Sequence, residues 1–188
     1  MRRILGKTMT DLDLDHTFVT SDFHFRDWKY HPSFLHESTE ETESEHIALW
    51  NSVVGKDSLV LYVGDFCERE LLRGNGCMTD LAELIGKLNG RIVLIKGNHD
   101  KLDDAFYRMA FVDVVDRMYI DDLKLLLIHN PAEGRLCPGE RMIYGHLHRM
   151  REAPPPTTRN SICVCAKWHG WKPLTLAEAL LRMDAADA

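Results

Sequence analysis

The sequence of 188 residues contains no apolar run long enough to span a bilayer, which excludes a helical membrane protein. It is short of positive charge: 23 Lys and Arg stand against 29 Asp and Glu, a formal net charge of -6. That balance argues against nucleic acid as a partner through a broad basic face and leaves only a local basic patch open. No Cys-x-x-Cys pair occurs among Cys67, Cys77, Cys137, Cys163 and Cys165, and their number is odd, so neither a zinc ribbon nor a redox motif is present. The cysteines read instead as small buried hydrophobes of a reducing cytosol. The basic start Met1–Lys7 leads into no apolar h-region, so no signal peptide is expected and the protein is expected to be soluble and cytoplasmic. Internal repeats are absent. Low complexity is confined to Ala153-Pro154-Pro155-Pro156, which reads as a stiff surface connection.

The remainder is that of an ordinary globular chain, 45% apolar and 28% charged. Its length favours one domain over residues 1–188. Ten histidines is a high count, and their positions carry the argument.

The apolar run Arg91–Lys96 reads as a buried strand that ends at Gly97-Asn98-His99-Asp100. By itself that tetrapeptide is equally well an ordinary turn, in which glycine lets the backbone bend sharply. Other apolar runs end the same way. His16–Ser21 runs into Asp22-Phe23-His24, whose acid and imidazole, two residues apart, leave the same side of an extended chain. Ser58–Val63 ends at Gly64-Asp65, Leu123–Ile128 at His129, and Met142-Ile143-Tyr144 at Gly145-His146-Leu147-His148.

Between these runs, Ser38-x-x-Glu41 is a capping box opening a helix that carries Ile47, Leu49, Trp50, Val53 and Val54. Thr79 caps a second helix with Leu81, Leu84, Ile85 and Leu88 on one face. A short helix is expected over 103–109, and Thr175-x-x-Glu178 caps a last one. Strand and helix alternate over 17–98, which predicts an α/β layered fold. Val112–Val115, Met118–Ile120 and Leu123–Ile128, joined by tight polar turns, are expected to pair antiparallel. Leu12 and Leu14 alternating with Asp11, Asp13 and Asp15 suggest a strand with one wet face.

Loops at one edge of a layered sheet converge, and ligand sites form there. The convergent set holds aspartate, asparagine and histidine, enough for two divalent cations if one carboxylate bridges them. Mixed oxygen and nitrogen donors without thiolate suit Mn, Fe, Zn, Co or Ni better than Ca or Mg. A closely spaced pair of such ions serves in-line displacement at phosphorus.

Asp22-x-His24, Gly64-Asp65, Gly97-Asn98-His99-Asp100, His129 and Gly145-His146-x-His148, in this order, resemble the five motifs of the calcineurin-like metallophosphoesterases. Trp50–Asp57, Leu88–Arg91, Asn160–Cys165 and Trp171–Leu174 resemble a small bacterial and phage-type branch of that superfamily. The resemblance covers about residues 17 to 180. It implies a four-layer αββα sandwich, two packed mixed β-sheets flanked by helices. It implies one metal on Asp22, His24, Asp65 and His148 and a second on Asp65, Asn98, His129 and His146, with Asp65 bridging. It also implies a metal-bridging hydroxide as the nucleophile, with His99 protonating the leaving oxygen and Asp100 orienting His99. Phe25, where a glycine is often found nearby, and Asn130 after His129 depart from the usual pattern.

The expected activity is hydrolysis of a phosphate monoester or diester, on a small substrate such as a nucleotide. A nuclease and a non-catalytic binding scaffold of the same fold are the alternatives. Arg26, His31 and Arg149 flank the motifs as candidates for contact with substrate phosphate, and solvated loop charge is the competing reading of each. Oligomeric state is left open.

Overall fold

A computed structural model of the chain describes residues 3–4, 7–8, 12–26, 39–67, 77–148 and 152–187. Two short strands, β1 (Arg3–Ile4) and β2 (Lys7–Thr8), pair antiparallel near the start. The main body is two mixed sheets with four helices. In the first sheet β3 (Thr17–Thr20), β4 (Leu59–Tyr62), β5 (Arg91–Ile95) and β6 (Asp113–Val115) lie parallel in that order. An antiparallel edge strand, β11 (Leu174–Thr175), pairs with β3. In the second sheet β8 (Leu125–Ile128), β9 (Arg141–Tyr144) and β10 (Ser161–Cys163) are parallel, and β7 (Met118–Ile120) runs antiparallel to β8.

The strand sequences explain the layering. β3 and β8 are buried at every position, because each faces apolar neighbours on both sides of its sheet. One set of side chains, among them Val19, Leu61, Val93 and Ile95 of the first sheet and Ile120, Leu125, Leu127 and Ile143 of the second, forms the core between the sheets. The other set, including Phe18, Val60, Tyr62, Ile92 and Leu94, meets Trp50 of α1 (Thr39–Asn51) and Leu81, Leu84 and Leu88 in and after α2 (Cys77–Lys87). Fully burying one such side chain contributes about 1.5–3 kcal/mol. On the far side of the second sheet, Leu136, Leu147 and Trp168 pack on Leu126, Ile128, Met142 and Tyr144. α3 (Asp104–Tyr107) is a single turn capped by Asp103, whose carboxylate accepts from Ala105 N. α4 (Leu176–Asp184) packs on β3, β10 and β11, and Thr175 caps it by accepting from Glu178 N as the capping box requires.

Several local expectations are corrected. Residues 12–16 are no strand: Asp13 Oδ1 accepts from the N–H groups of Asp15 and His16, and this Asx turn competes better than an exposed edge. β6 does not pair with β7. It continues the first sheet beside β5, and Asp116–Arg117 then cross to the second sheet, so Val114 and Val115 are buried in different layers. α2 begins at Cys77, two residues before the expected cap. Ser38 lies outside the described residues, as does most of the predicted cleft-covering loop.

Register brings the site together. Thr20, Tyr62 and Leu94 are mutual partners near the ends of β3, β4 and β5, so Asp22, Asp65 and Asn98 emerge at one edge. Ile128 opposite Tyr144 does the same for His129 and His146. Beyond the strand ends, Ser21 bridges to Cys165, with Ser21 N donating to Val164 O and Ala166 N donating to Ser21 O. That bridge ties the two sheets together beside Asp22.

Candidate metal centre

The strand-end side chains converge into three overlapping groups: Asp22, His24 and His148; His24, Asp65 and His99; and Asp65, His129 and His146. The donor atoms within each lie within 4.8 Å of one another. His24 Nε2 is 3.1 Å from His148 Nε2 and 3.7 Å from Asp65 Oδ2. His148 Nε2 is 3.3 Å from Asp22 Oδ1. On the other side His129 Nε2 lies 3.2 Å from Asp65 Oδ2, 3.1 Å from Asn98 Oδ1 and 3.3 Å from His146 Nδ1. Asp65 is thus the side chain common to both halves.

The backbone is bent to make this possible. Asp22, His24, Asp65 and His146 all have φ between 45° and 70°, the left-handed region that non-glycine residues rarely occupy. Conformations of this kind cost about 1–3 kcal/mol each and persist where surrounding structure imposes them. Tyr62 is part of that structure: its buried hydroxyl accepts from Phe23 N at 2.8 Å and donates to Asp65 O at 3.3 Å. Gly97 is required for closeness. Its φ is not positive, contrary to the sharp turn expected there, but a Cβ would lie 2.5 Å from Asp65 N and collide with the Asp65 carboxylate. Gly145 is similar, since a Cβ there would meet Asp22 Oδ2 at 2.5 Å.

Outer contacts aim the donors. His129 Nδ1 donates to Val63 O at 2.8 Å, which leaves Nε2 for the centre. Asp22 Oδ2 accepts from His146 N at 2.9 Å and from the Cys165 thiol at 3.2 Å, so Oδ1 is the oxygen turned towards His148. Cys165 Sγ is in turn 3.3 Å from Cys163 Sγ. Burial pushes the Cys165 thiol up, which keeps it a donor. Asp100 accepts from the N–H groups of Asp65 (2.7 Å), Gly97 (2.8 Å) and Phe66 (3.2 Å). Those three bonds fasten the β4 and β5 loops to each other, a different task from the expected orientation of His99. The His99 ring stands edge-on to His24, centroids 5.0 Å apart, and its N–H donates to Asp65 Oδ1 at 2.8 Å.

Electrostatics test whether these residues fit metal. Burial holds the His24 imidazole down to about 3 and that of His148 down to about 4, so both are neutral at pH 7 with lone pairs available. Burial also opposes charge on His129, yet the hydrogen bond to Asp65 and the charges of Asp22 and Asp65 lift it to about 9. Asp65 is correspondingly held below the usual carboxylate range against the effect of burial, while burial raises Asp22. A centre that protonates a buried histidine to balance its carboxylates is one that takes positive charge. With neutral imidazoles, carboxylates and an amide oxygen as donors, it fits divalent cations.

Of the expected substrate contacts, the Arg26 guanidinium is committed elsewhere. Its Nε donates to Glu43 Oε2 at 2.8 Å, tying the site loop to α1. His31 and Arg149 lie outside the described residues. Phe25 is buried and stacks on Phe23, and Asn130 caps a short 3-10 turn over 131–133, so both departures from the family pattern serve packing and loop structure.

The family model for calcineurin-like phosphoesterases matches residues 16–162. The chain therefore belongs to the calcineurin-like phosphoesterases. It is 28% identical over 169 residues to the uncharacterized protein MJ1445 of Methanocaldococcus jannaschii, covering 85% of this chain and 86% of that one. Among solved structures it resembles AQ665 of Aquifex aeolicus, a protein of unknown function, with TM-score 0.57, 20% identity and coverage of 84% and 94%. It also shares the fold of the Pseudomonas putida nuclease MPE, with TM-score 0.50 and 21% identity over 71% of this chain and 62% of the nuclease.

Proposed function

We propose that the chain is a dinuclear metal-dependent phosphoesterase and that the centre just described is its active site. The observation that carries this reading is the overlap of the donor groups, with Asp65 shared between the His24 side and the His129 side. Asp22, His24, Asp65 and His148 would hold one divalent cation, and Asp65, Asn98, His129 and His146 a second. Such ions would supply activation of water and neutralisation of charge on the phosphoryl oxygens.

The protein's own groups do the rest. The neutral His24 and His148 rings keep their lone pairs for binding instead of holding protons. Asp100 and Tyr62 keep the left-handed turns at Asp22 and Asp65 in register, so the donors are preorganised before substrate arrives. His99 gives its imidazole proton to the leaving oxygen as the ester P–O bond breaks and water oxygen bonds to phosphorus. Asp100 is a positioning residue, acting through the backbone of the two loops. Burial and the nearby Asp65 charge push its carboxyl up to about 6, against the pull of the three amides.

The substrate is a phosphate ester, monoester or diester. The shared fold with a nuclease supports a nucleic-acid reading beside the small-substrate one. The test is a Mn-supplemented screen of phosphomonoesters, cyclic nucleotides, small diesters and oligonucleotides on purified protein. Activity that disappears with chelator and returns with Mn is expected, and no turnover on any ester after metal loading would defeat the reading.

A further inference from the structure

Two clefts adjoin the metal centre. The first, about 450 Å³, is lined by Asn98 and His129 of the centre and by Lys96, Asp116, Arg117 and Glu133. The second, about 520 Å³, shares Arg117 and Glu133 with it and extends to Tyr119, Leu126, Arg135 and Glu140. The shared wall makes them a continuous path leading away from the centre, along the segment that crosses between the sheets.

The charges in this path are unequally committed. Lys96 Nζ is bound by Asp104 and, at 3.2 Å, by Asp116, so these neutralise one another. Glu133 accepts from the Asn130 side chain at 3.0 Å, and Glu140 accepts from Tyr119 Oη and Cys137 N, both at 2.8 Å. Arg117 and Arg135 are exposed, and neither has an ion-pair or hydrogen-bond partner for its guanidinium among the described residues. Two uncommitted cations thus follow one another outward from the centre. Between them lies Tyr119, whose ring is 38% exposed although its hydroxyl is held by Glu140. Guanidinium groups that track a phosphate backbone, with an aromatic face for a base, are the elements of single-strand recognition. An overall charge of -6 does not oppose this, since the uncommitted groups in the path are positive.

We propose that the two clefts form one track for a single-stranded oligonucleotide. The scissile phosphate lies at the metal centre, the following phosphates lie on Arg117 and then Arg135, and one base lies against Tyr119. The inference rests on the phosphoesterase reading and names its substrate class.

The test is fluorescence anisotropy of the metal-loaded protein with labelled, hydrolysis-resistant phosphorothioate oligothymidines: a dinucleotide, a hexanucleotide and a dodecanucleotide. Affinity should rise from dinucleotide to hexanucleotide. Arg117→Ala and Arg135→Ala should each weaken hexanucleotide binding about 3- to 10-fold and lower the log–log salt slope by about 0.7. Tyr119→Ala should weaken binding with the salt slope unchanged. All three variants should hydrolyse bis-p-nitrophenyl phosphate like the wild type, which also shows that they fold. A dinucleotide bound as tightly as the hexanucleotide means a substrate that ends within the first cleft and overturns the track. So does wild-type affinity in both arginine variants. A wild-type protein that binds in the expected pattern yet hydrolyses no ester keeps the track and loses the phosphoesterase reading.

Discussion

Asp65→Asn is the substitution that isolates charge from shape. In the wild type Oδ2 lies 3.2 Å from His129 Nε2 and 3.7 Å from His24 Nε2, while Oδ1 receives the His99 N–H at 2.8 Å. An asparagine can still accept that N–H through its amide oxygen, so the loop geometry is retained. The negative charge is not. Two unit charges about 4 Å apart interact by about 4 kcal/mol at an effective dielectric constant near 20. Counting only one such interaction, the variant should lose about three decades of metal affinity, since each 1.4 kcal/mol is about tenfold. A residue shared between two ions loses on both sides, whereas His146→Ala and His148→Ala each remove a neutral donor from one side. The assay is activity against Mn concentration for the three variants, with bound metal measured by elemental analysis. Asp65→Asn should fail to recover at Mn levels that partly restore at least one histidine variant. Recovery as ready as that of either histidine variant would show that Asp65 is not the shared ligand.

Two further outcomes follow from the same geometry. His99→Ala should keep its metal and lose about 10²–10⁴-fold on esters with poor leaving groups, with a far smaller loss on p-nitrophenyl esters; equal losses on both would assign His99 to charge stabilisation. Cys165→Ala removes one of the two donors on Asp22 Oδ2, so metal affinity should fall about 10- to 100-fold, and Cys165→Ser should restore most of it. If the alanine variant titrates with metal like the wild type, the thiol has no part in aiming Asp22.

The donor set was legible because each donor sits where an apolar run stops, and strand ends at one sheet edge must converge. Asp22, His24, Asp65, Asn98, His129, His146 and His148 are all brought together as that argument requires. The supporting shell was not legible. Tyr62 reads as one more apolar residue inside a buried strand, and only the backbone turn at Phe23 brings an N–H to its hydroxyl. Cys165 reads as a small hydrophobe, because the bridge from Ser21 that sets it beside Asp22 joins positions far apart in sequence. The spacing of Cys163 and Cys165 on one strand face was the available signal, and it lacked a partner to point at.

Sheet membership failed for a related reason. Val112–Val115 and Met118–Ile120 are adjacent, short and apolar, which suits a hairpin as well as it suits a crossing. The decision is made by β5, whose edge offers β6 a parallel partner. Arg26 shows the limit of proximity along the chain: it follows His24 by two residues, and its guanidinium goes to Glu43 of α1 instead of the centre.

The most direct measurement of the central claim is anomalous scattering from crystals of the protein saturated with Mn, read together with metal content per chain. The account predicts two ions, one against Asp22, His24 and His148 and one against Asn98, His129 and His146, with the Asp65 carboxylate touching both. A single ion at saturation, or a pair of which Asp65 touches only one, would contradict it.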